Sequence, residues 1–413
     1  MKPVRTLYVC YFSLREPLVQ TQVLPYLQQL KSDNLKVSLL TFEPALEAWT
    51  ADDRCQQRAT LASLGITWHC LKYHKSPSLP ATIYDMLAGA WTITRIMRRE
   101  NVTVLHARNH VPAVMAAIAK KLKGAKLIFD IRGFMPEEYT DAGVWPKNGY
   151  LYRGLKRVER YLLRTADAFV LLTQKAREIV FPGATDSDDK GRPIAVIPCC
   201  VDFERFAKFG PSRDDLREEL GVTGRRVIVY VGSFGGWYMT DEMIDFLATA
   251  HKQDPTTFSM ILTQSPRQEI VDSLKSLGLE DEDFLVRQVA PAEVPRFLEA
   301  ADIAISFIKP CYSKQSSSPT KIAEYLASGL PIVSNAGIGD LDTLIEANQV
   351  GVLLRDFSAT AYRSALDKID AMRAERPSDR LRDVARREFD LTEVGGRRYR
   401  LLYQRLMDGS DLD

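Results

Sequence analysis

The chain has 413 residues, 46% of them hydrophobic and 26% charged, with a formal net charge of +2. That length exceeds what one core supports and fits two domains, and the composition is that of a soluble globular protein rather than a disordered or fibrous one. No run approaches the ~18–20 apolar residues of a membrane span, and six cysteines without Cys-x-x-Cys spacing argue against a structural zinc site or disulfide framework and for a reducing cytoplasm.

Apolar runs of strand length alternate with helical periodicity from end to end, which predicts an α/β protein with parallel sheets. The N-terminal apolar stretch is too short for a signal peptide and reads as a first strand, 7–12. A helix is predicted at 24–30, a strand at 37–42, helices at 81–100 and 112–122, and strands at 102–105 and 127–131. A helix over 150–164 leads to a strand at 168–173, a polar stretch at 184–192 and a strand at 194–198. Residues 199–212 mark a boundary, after which a second series opens with a strand at 226–232. Its further strands are predicted at 259–263, 284–289, 303–307, 332–334 and 352–354, with helices at 241–250, 267–277 and 295–300. A last helix, 392–407, is rich in Arg and Tyr. The expected domains are 1–200, joined by the terminal helix of about 390–413, and 201–389.

The small net charge hides an asymmetry. Residues 1–200 hold 28 Lys and Arg against 18 Asp and Glu, whereas the remainder holds 27 against 35. Much of the excess lies in 95–99, 120–126 and 147–164, where aromatics interleave with cations in Tyr150, Tyr152, Arg153, Lys156 and Arg157. Such a surface suits anionic lipid headgroups or a phosphorylated acceptor, and it equally suits a solvated basic helix face. No nucleic-acid motif accompanies the charge, so no nucleic-acid partner is expected.

Residues 316–340, SSSPTKIAEYLASGLPIVSNAGIGD, concentrate the chemistry. Ser316, Ser317 and Ser318 supply hydroxyls, and Pro319 stiffens a turn and can open a helix. Thr320 and Lys321 then fall in the first helical turn, where unpaired N–H groups and the dipole attract anions. A lysine there opposes the dipole, so it makes better sense beside an anionic ligand. Glu324 follows one turn on; the bland alternative is an i,i+3 surface pair with Lys321. Earlier, Gly232-Ser233-Phe234-Gly235 follows the first strand of the second domain, and its glycines let a ligand approach backbone amides or simply make a tight turn. In the first domain, His106, Arg108 and Asn109 follow one strand, and Asp130, Arg132 and Glu138 end and follow the next. Both groups lie where open α/β sheets bind ligands. An Asp–Arg pair tying two loops and a satisfied core histidine are the structural alternatives.

The order of features in 316–340 resembles the donor segment of retaining GT-B glycosyltransferases, specifically glycosyltransferase family 4. In that family a carboxylate, seven residues and a second Glu precede a Gly-Leu-Pro. Here the second Glu is Glu324, ahead of Gly329-Leu330-Pro331, and the first position is Ser316. The stretch 195–202, with Phe206, is similar to the family's interdomain segment, with Cys199 and Cys200 at its Asn-Gly positions. The family's loop Arg and Lys fall on Ser233 and Tyr238, so Lys321, aided by Lys314, is the expected substitute cation.

The resemblance implies two Rossmann-like domains with a cleft between them and a C-terminal helix returning to the N-terminal domain. It implies retaining transfer from a nucleoside diphosphate sugar to a carbohydrate or lipid-linked acceptor, in surface polysaccharide or glycolipid assembly, without cofactor or metal. Gly232, Ser233, Phe234, Gly235, Ser316, Ser318, Pro319, Thr320, Lys321 and Glu324 would bind the nucleotide sugar, with Glu324 on the ribose. Asp130, Arg132 and Glu138 would be catalytic, and His106, Arg108, Asn109 and Gln20 would line the acceptor side. The enzyme would sit in the cytoplasm, in peripheral contact with the anionic inner membrane face through its basic first domain. Alternatives are a nucleotide-sugar hydrolase or epimerase and a non-catalytic donor-binding or scaffold protein. The absence of a Gly-x-Gly-x-x-Gly after the first strand argues against a NAD-dependent dehydrogenase.

Overall fold

The computed structural model describes residues 3–32, 34–207, 212–375 and 377–407. The chain divides into two compact units, Met1–Pro198 with Leu391–Asp413, and Cys199–Asp390. Residues 208–211 of the expected boundary and 408–413 of the expected terminal helix lie outside the described residues.

The first unit is built on seven strands: β1 Val4–Cys10, β2 Leu35–Glu43, β3 Ile66–Lys72, β4 Val104–Arg108, β5 Lys126–Ile131, β6 Ala168–Leu171 and β7 Ile194–Val196. They pair in parallel in the order β3-β2-β1-β4-β5-β6-β7. Helices cover both faces, so central strands such as β4 and β6 are buried along their whole length, and β6 reads as a continuous apolar run. The Ser78–Glu100 helix packs on His110–Lys123, which packs on Tyr150–Thr165. Gly89 permits the first of these crossings, since a Cβ there would meet the Met115 sulfur at 2.5 Å.

The chain returns to this unit at its C-terminus, as the resemblance implied. A π-helical turn, Leu391–Gly396, runs into the Arg397–Leu406 helix. Gly396 lets that turn close on Gln29, whose Cβ would lie 2.8 Å from an added methyl group. Tyr399 and Tyr403 then point into the core of the first unit.

The second unit has six parallel strands: β8 Arg226–Val231, β9 Thr257–Leu262, β10 Phe284–Arg287, β11 Ile303–Ser306, β12 Ile332–Asn335 and β13 Gly351–Leu354. Their order is β10-β9-β8-β11-β12-β13. Apolar layers fill both sides of this sheet. Its two ends meet where the Val201 amide donates to the Phe389 carbonyl at 2.8 Å.

Several elements escaped the sequence pattern. β3 is an edge strand, half-exposed along ITWHCLK, and lacks the apolar run of its neighbours. The Ala51–Ser63 helix buries only Leu61, so its periodicity is faint. Ala359–Ala374 and Ser378–Phe389 are helices whose apolar stripes are diluted by charge. No helix among the described residues is long and apolar enough to cross a membrane.

Candidate functional site

In each sheet the strand order reverses once, between β1 and β4 in the first unit and between β8 and β11 in the second. The chain leaves adjacent strands in opposite directions there, which opens a crevice at their carboxyl ends. Most of the predicted site residues lie near these two points, Gln20 excepted.

In the second unit, β8 runs into the Gly232–Tyr238 loop, and the segment after β11 leads to the Thr320–Ala327 helix. Lys321, in the first turn, reaches back over this loop. Its Nζ donates to the Tyr230 hydroxyl at 3.2 Å, and it lies 4.4 Å from the Tyr230 ring centroid and 4.0 Å from that of Tyr238. The ammonium is thus boxed by two aromatic faces, and its side chain is buried. Gly232 has φ +144°, and a Cβ there would sit 2.5 Å from the lysine nitrogen. Its neighbour Ser233 accepts from the Tyr230 hydroxyl through its carbonyl at 2.6 Å. The Phe234 amide donates to Ser265, and the Gly235 amide to Thr240.

Burial pushes the Lys321 ammonium down to about 7, against the opposing pull of Glu324. Burial likewise raises the Glu324 carboxyl, while Arg205 and Lys321 pull it down. The Arg205 guanidinium is 3.8 Å from Glu324. Both charges sit in a site that disfavours them, as expected where ligand charge or hydroxyls complete the solvation. Lys314 makes a parallel arrangement, its Nζ 3.9 Å above the Trp237 ring.

The serines divide. Ser318 Oγ accepts from the Cys199 amide at 3.1 Å. Ser316 is fully buried and donates to the Ser313 carbonyl at 2.7 Å, within the 3₁₀ turn Tyr312–Ser316. Its hydroxyl turns back to the main chain of that turn. Pro319 precedes the helix without a side-chain cap, and Thr320 begins it.

In the first unit, a fully buried ionic cluster occupies the crevice between β1 and β4. Asp130 Oδ2 accepts from Tyr8 at 3.2 Å and from Tyr399 at 3.4 Å. It lies 3.6 Å from His106 Nε2 and 3.9 Å from Arg108, and its Oδ1 is 3.6 Å from Arg132. Burial raises the Asp130 carboxyl, but Arg132, His106 and Arg108 outweigh it and hold the group at about 2. Burial lowers His106, with Arg108 and Arg132 acting in the same direction against Asp130, so the ring is neutral. Its Nδ1 is 3.0 Å from the Tyr403 hydroxyl, itself 2.8 Å from Thr6.

Four predicted residues therefore meet in one cluster: His106, Arg108, Asp130 and Arg132. Asp130 and His106 are wholly enclosed. They hold the strand ends together, with Arg132 3.6 Å from Asp130. Asn109 caps the His110–Lys123 helix at φ 73° and binds the Asp130 carbonyl through its amide. Glu138 lies over Gly133, where a Cβ would meet its carboxylate at 2.9 Å. Gln20 is exposed at the edge of the unit and donates to the Leu14 carbonyl.

Sequence reasoning missed the aromatic boxes and Arg205. The signal for the boxes was present, because Phe234, Trp237 and Tyr238 crowd a glycine loop that should otherwise be polar. Among the described residues no group of three or more His, Cys, Asp or Glu is placed to hold a metal ion.

Residues 19–183 match the family described as glycosyl transferase 4-like domain, and residues 212–387 match glycosyl transferases group 1. A stretch of 189 residues is 22% identical to spore coat protein SA of Bacillus subtilis strain 168, covering 43% of this chain and 48% of that protein. Another, of 156 residues, is 25% identical to the GDP-mannose-dependent alpha-(1-6)-phosphatidylinositol monomannoside mannosyltransferase of Mycolicibacterium smegmatis, covering 36% and 40%. The chain thus spans less than half the length of either relative. The fold matches that of Anabaena HepE, solved in complex with UDP and glucose, at a TM-score of 0.68 and 15% identity, over 97% of this chain and 100% of that one.

Proposed function

The chain belongs to the GT-B glycosyltransferases of the family-4 type, and on that premise we propose that it moves a sugar, with retention, from a nucleoside diphosphate donor to a carbohydrate or lipid-linked acceptor. The observation that carries this reading is the boxed Lys321 over Gly232, with Glu324 one turn away.

In this reading the diphosphate lies over the Gly232–Gly235 backbone. Lys321 takes up the charge that grows on the leaving diphosphate, with Lys314 and the amides of the first helical turn beside it. A retaining front-face route needs such charge stabilisation and close positioning more than it needs a protein nucleophile. Glu324 accepts hydrogen bonds from the ribose hydroxyls, and Arg205 keeps its carboxylate charged. Arg132 and Glu138, steadied by Asp130, orient the sugar or the acceptor hydroxyl from the first domain. His106, Arg108 and Asn109 shape the loops behind them.

A place in surface polysaccharide or glycolipid assembly is supported by the names of the relatives, a spore coat protein and a mannosyltransferase acting on a phosphatidylinositol mannoside. Cytoplasmic residence and peripheral contact with an anionic membrane belong to the same reading.

Calorimetric titration with UDP, GDP, ADP and TDP, with and without magnesium, tests the proposal. Selective, magnesium-independent binding of one nucleotide, weakened in Glu324→Gln, is the expected outcome. Absence of binding by all four removes the donor-site assignment.

A further inference from the structure

We propose that His74, with the buried Asp85 behind it and Tyr84 beside it, forms a subsite for a neutral sugar ring of the acceptor. The group stands at the carboxyl end of the first sheet, on its β3 side. His74 lies two residues past β3, and Asp85 is in the second turn of the Ser78–Glu100 helix. Tyr11, one residue past β1, ties the group to a strand that borders the crevice.

Asp85 is 1% exposed and takes up three donors. Its Oδ2 accepts from the Tyr11 hydroxyl at 2.7 Å and from the His74 amide at 3.0 Å. Its Oδ1 is 2.6 Å from His74 Nδ1. A carboxylate oxygen accepts and does not donate, so Nδ1 carries the proton and the tautomer is fixed. The lone pair of the neutral ring is thereby left at Nε2. The His74 side chain is 35% exposed, and its Nε2 has no hydrogen-bond partner among the described residues.

The other four histidines are spent otherwise. His106 and His110 are buried, and the Nε2 atoms of His69 and His251 lie 2.7 Å from Glu100 and 3.5 Å from Asp283. A tie between loops would need the tyrosine and amide bonds alone. Holding an imidazole in one tautomer, with its second nitrogen open, prepares an acceptor for a ligand hydroxyl.

The neighbours narrow the ligand. Tyr84 is exposed, and its ring stands at 88° to the imidazole with centroids 5.1 Å apart. An aromatic surface beside one oriented acceptor suits a molecule with apolar C–H faces and hydroxyls at its rim, as in a pyranose. The cation nearest along β3, Lys72, is paired with Glu47 at 3.2 Å, and a nitrogen lone pair repels an anion. Lys75 follows His74 and is exposed, so phosphate is the competing ligand to test.

The inference rests on the reading of a carbohydrate acceptor. Its test needs no donor, and nucleotide calorimetry reads the donor site separately, so either can fail alone. Saturation-transfer NMR is run on the full chain with the methyl glycosides of glucose, mannose and galactose at millimolar concentration. Transfer to the ring protons of at least one glycoside is expected. His74→Ala and Tyr84→Ala should each weaken that binding about fivefold, the worth of one hydrogen bond or ring contact, and His74→Gln should restore part of it. Asp85→Asn gives a readout that a merely structural role would not move. Its amide oxygen can keep the Tyr11 and His74 main-chain bonds, which sets the NH2 group opposite Nδ1 and moves the ring proton to Nε2. Imidazole ¹⁵N shifts should report that change of tautomer. Absence of transfer to all three glycosides, or transfer unaltered by both alanine changes, overturns the proposal. So does displacement of the glycoside by inorganic phosphate, since the site would then be one for anions.

Discussion

The Lys321 ammonium occupies the space that a side chain at residue 232 would need. A Cβ on Gly232 would lie 2.5 Å from Nζ, and the residue's φ of +144° admits little besides glycine. The lysine cannot leave by a small shift, because Tyr230 and Tyr238 flank it. Loop and helix therefore depend on each other: the absent side chain at 232 is what brings a cation from the helix to the backbone of the loop.

Gly232→Ala should displace the ammonium and strain the loop at once. Affinity for the preferred nucleoside diphosphate should fall at least tenfold, about 1.4 kcal/mol, and the melting temperature should drop by a few degrees. Calorimetry and thermal melts on one preparation check both. Unchanged affinity would detach the loop from the ligand.

The pH dependence of binding follows from the lysine held at about 7 by burial. Below that value the free site is already charged, so affinity should be flat. Above it, binding must first restore the proton, and affinity should fall by up to tenfold per pH unit until the pKa of the bound state is reached. Titrations from pH 6 to 9 in buffers of different ionisation enthalpy should show proton uptake on binding. Lys321→Met should remove the uptake and cost more for a diphosphate than for a monophosphate.

Glu324→Gln should weaken nucleotide binding about tenfold or more, because a charged acceptor for hydroxyl groups is lost. The melting temperature should stay near that of the wild type. Burial already raises this carboxyl, so its charge contributes little to folding. Equal nucleotide affinity in the variant would take Glu324 out of the site.

Asp130 carries the opposite expectation, an effect on stability. Its carboxyl lies at about 2, below the ordinary 3.8, since Arg132, His106 and Arg108 overcome the effect of burial. A depressed carboxyl stabilises the fold above its unfolded value and loses that contribution as pH falls through the folded one. Roughly 2 kcal/mol should therefore vanish between about pH 4 and pH 2. Asp130→Asn should remove this dependence and cost about 3 kcal/mol at neutral pH, because the buried Arg108 and the neighbouring Arg132 lose the charge that faces them. Denaturant melts across that pH range measure both quantities.

The sheets were largely legible before the structure, and for one reason. Parallel strands covered on both faces are predominantly apolar, so β1, β5, β8 and β11 stand out from the loops around them. β3 and the Ala51–Ser63 helix failed this test because they are half-exposed. The helix and strand of residues 316–340 were legible through their local order, Pro319, Lys321, Glu324 and the Gly329-Leu330-Pro331 that follows. Ser316 was not, since whether a hydroxyl faces outward or back to the Ser313 carbonyl depends on a turn that no local spacing declares.

Residue order along the chain was enough for the α/β plan of parallel sheets covered by helices, because that plan rests on patterns between neighbours in sequence. The partners of individual side chains were settled only when distant segments met. Lys321 finds Tyr230 and Gly232 some ninety residues away, and Asp130 finds Tyr399 across 269. Burial then set the charge state of both groups, and burial is a property of the assembled core that no stretch of sequence carries alone.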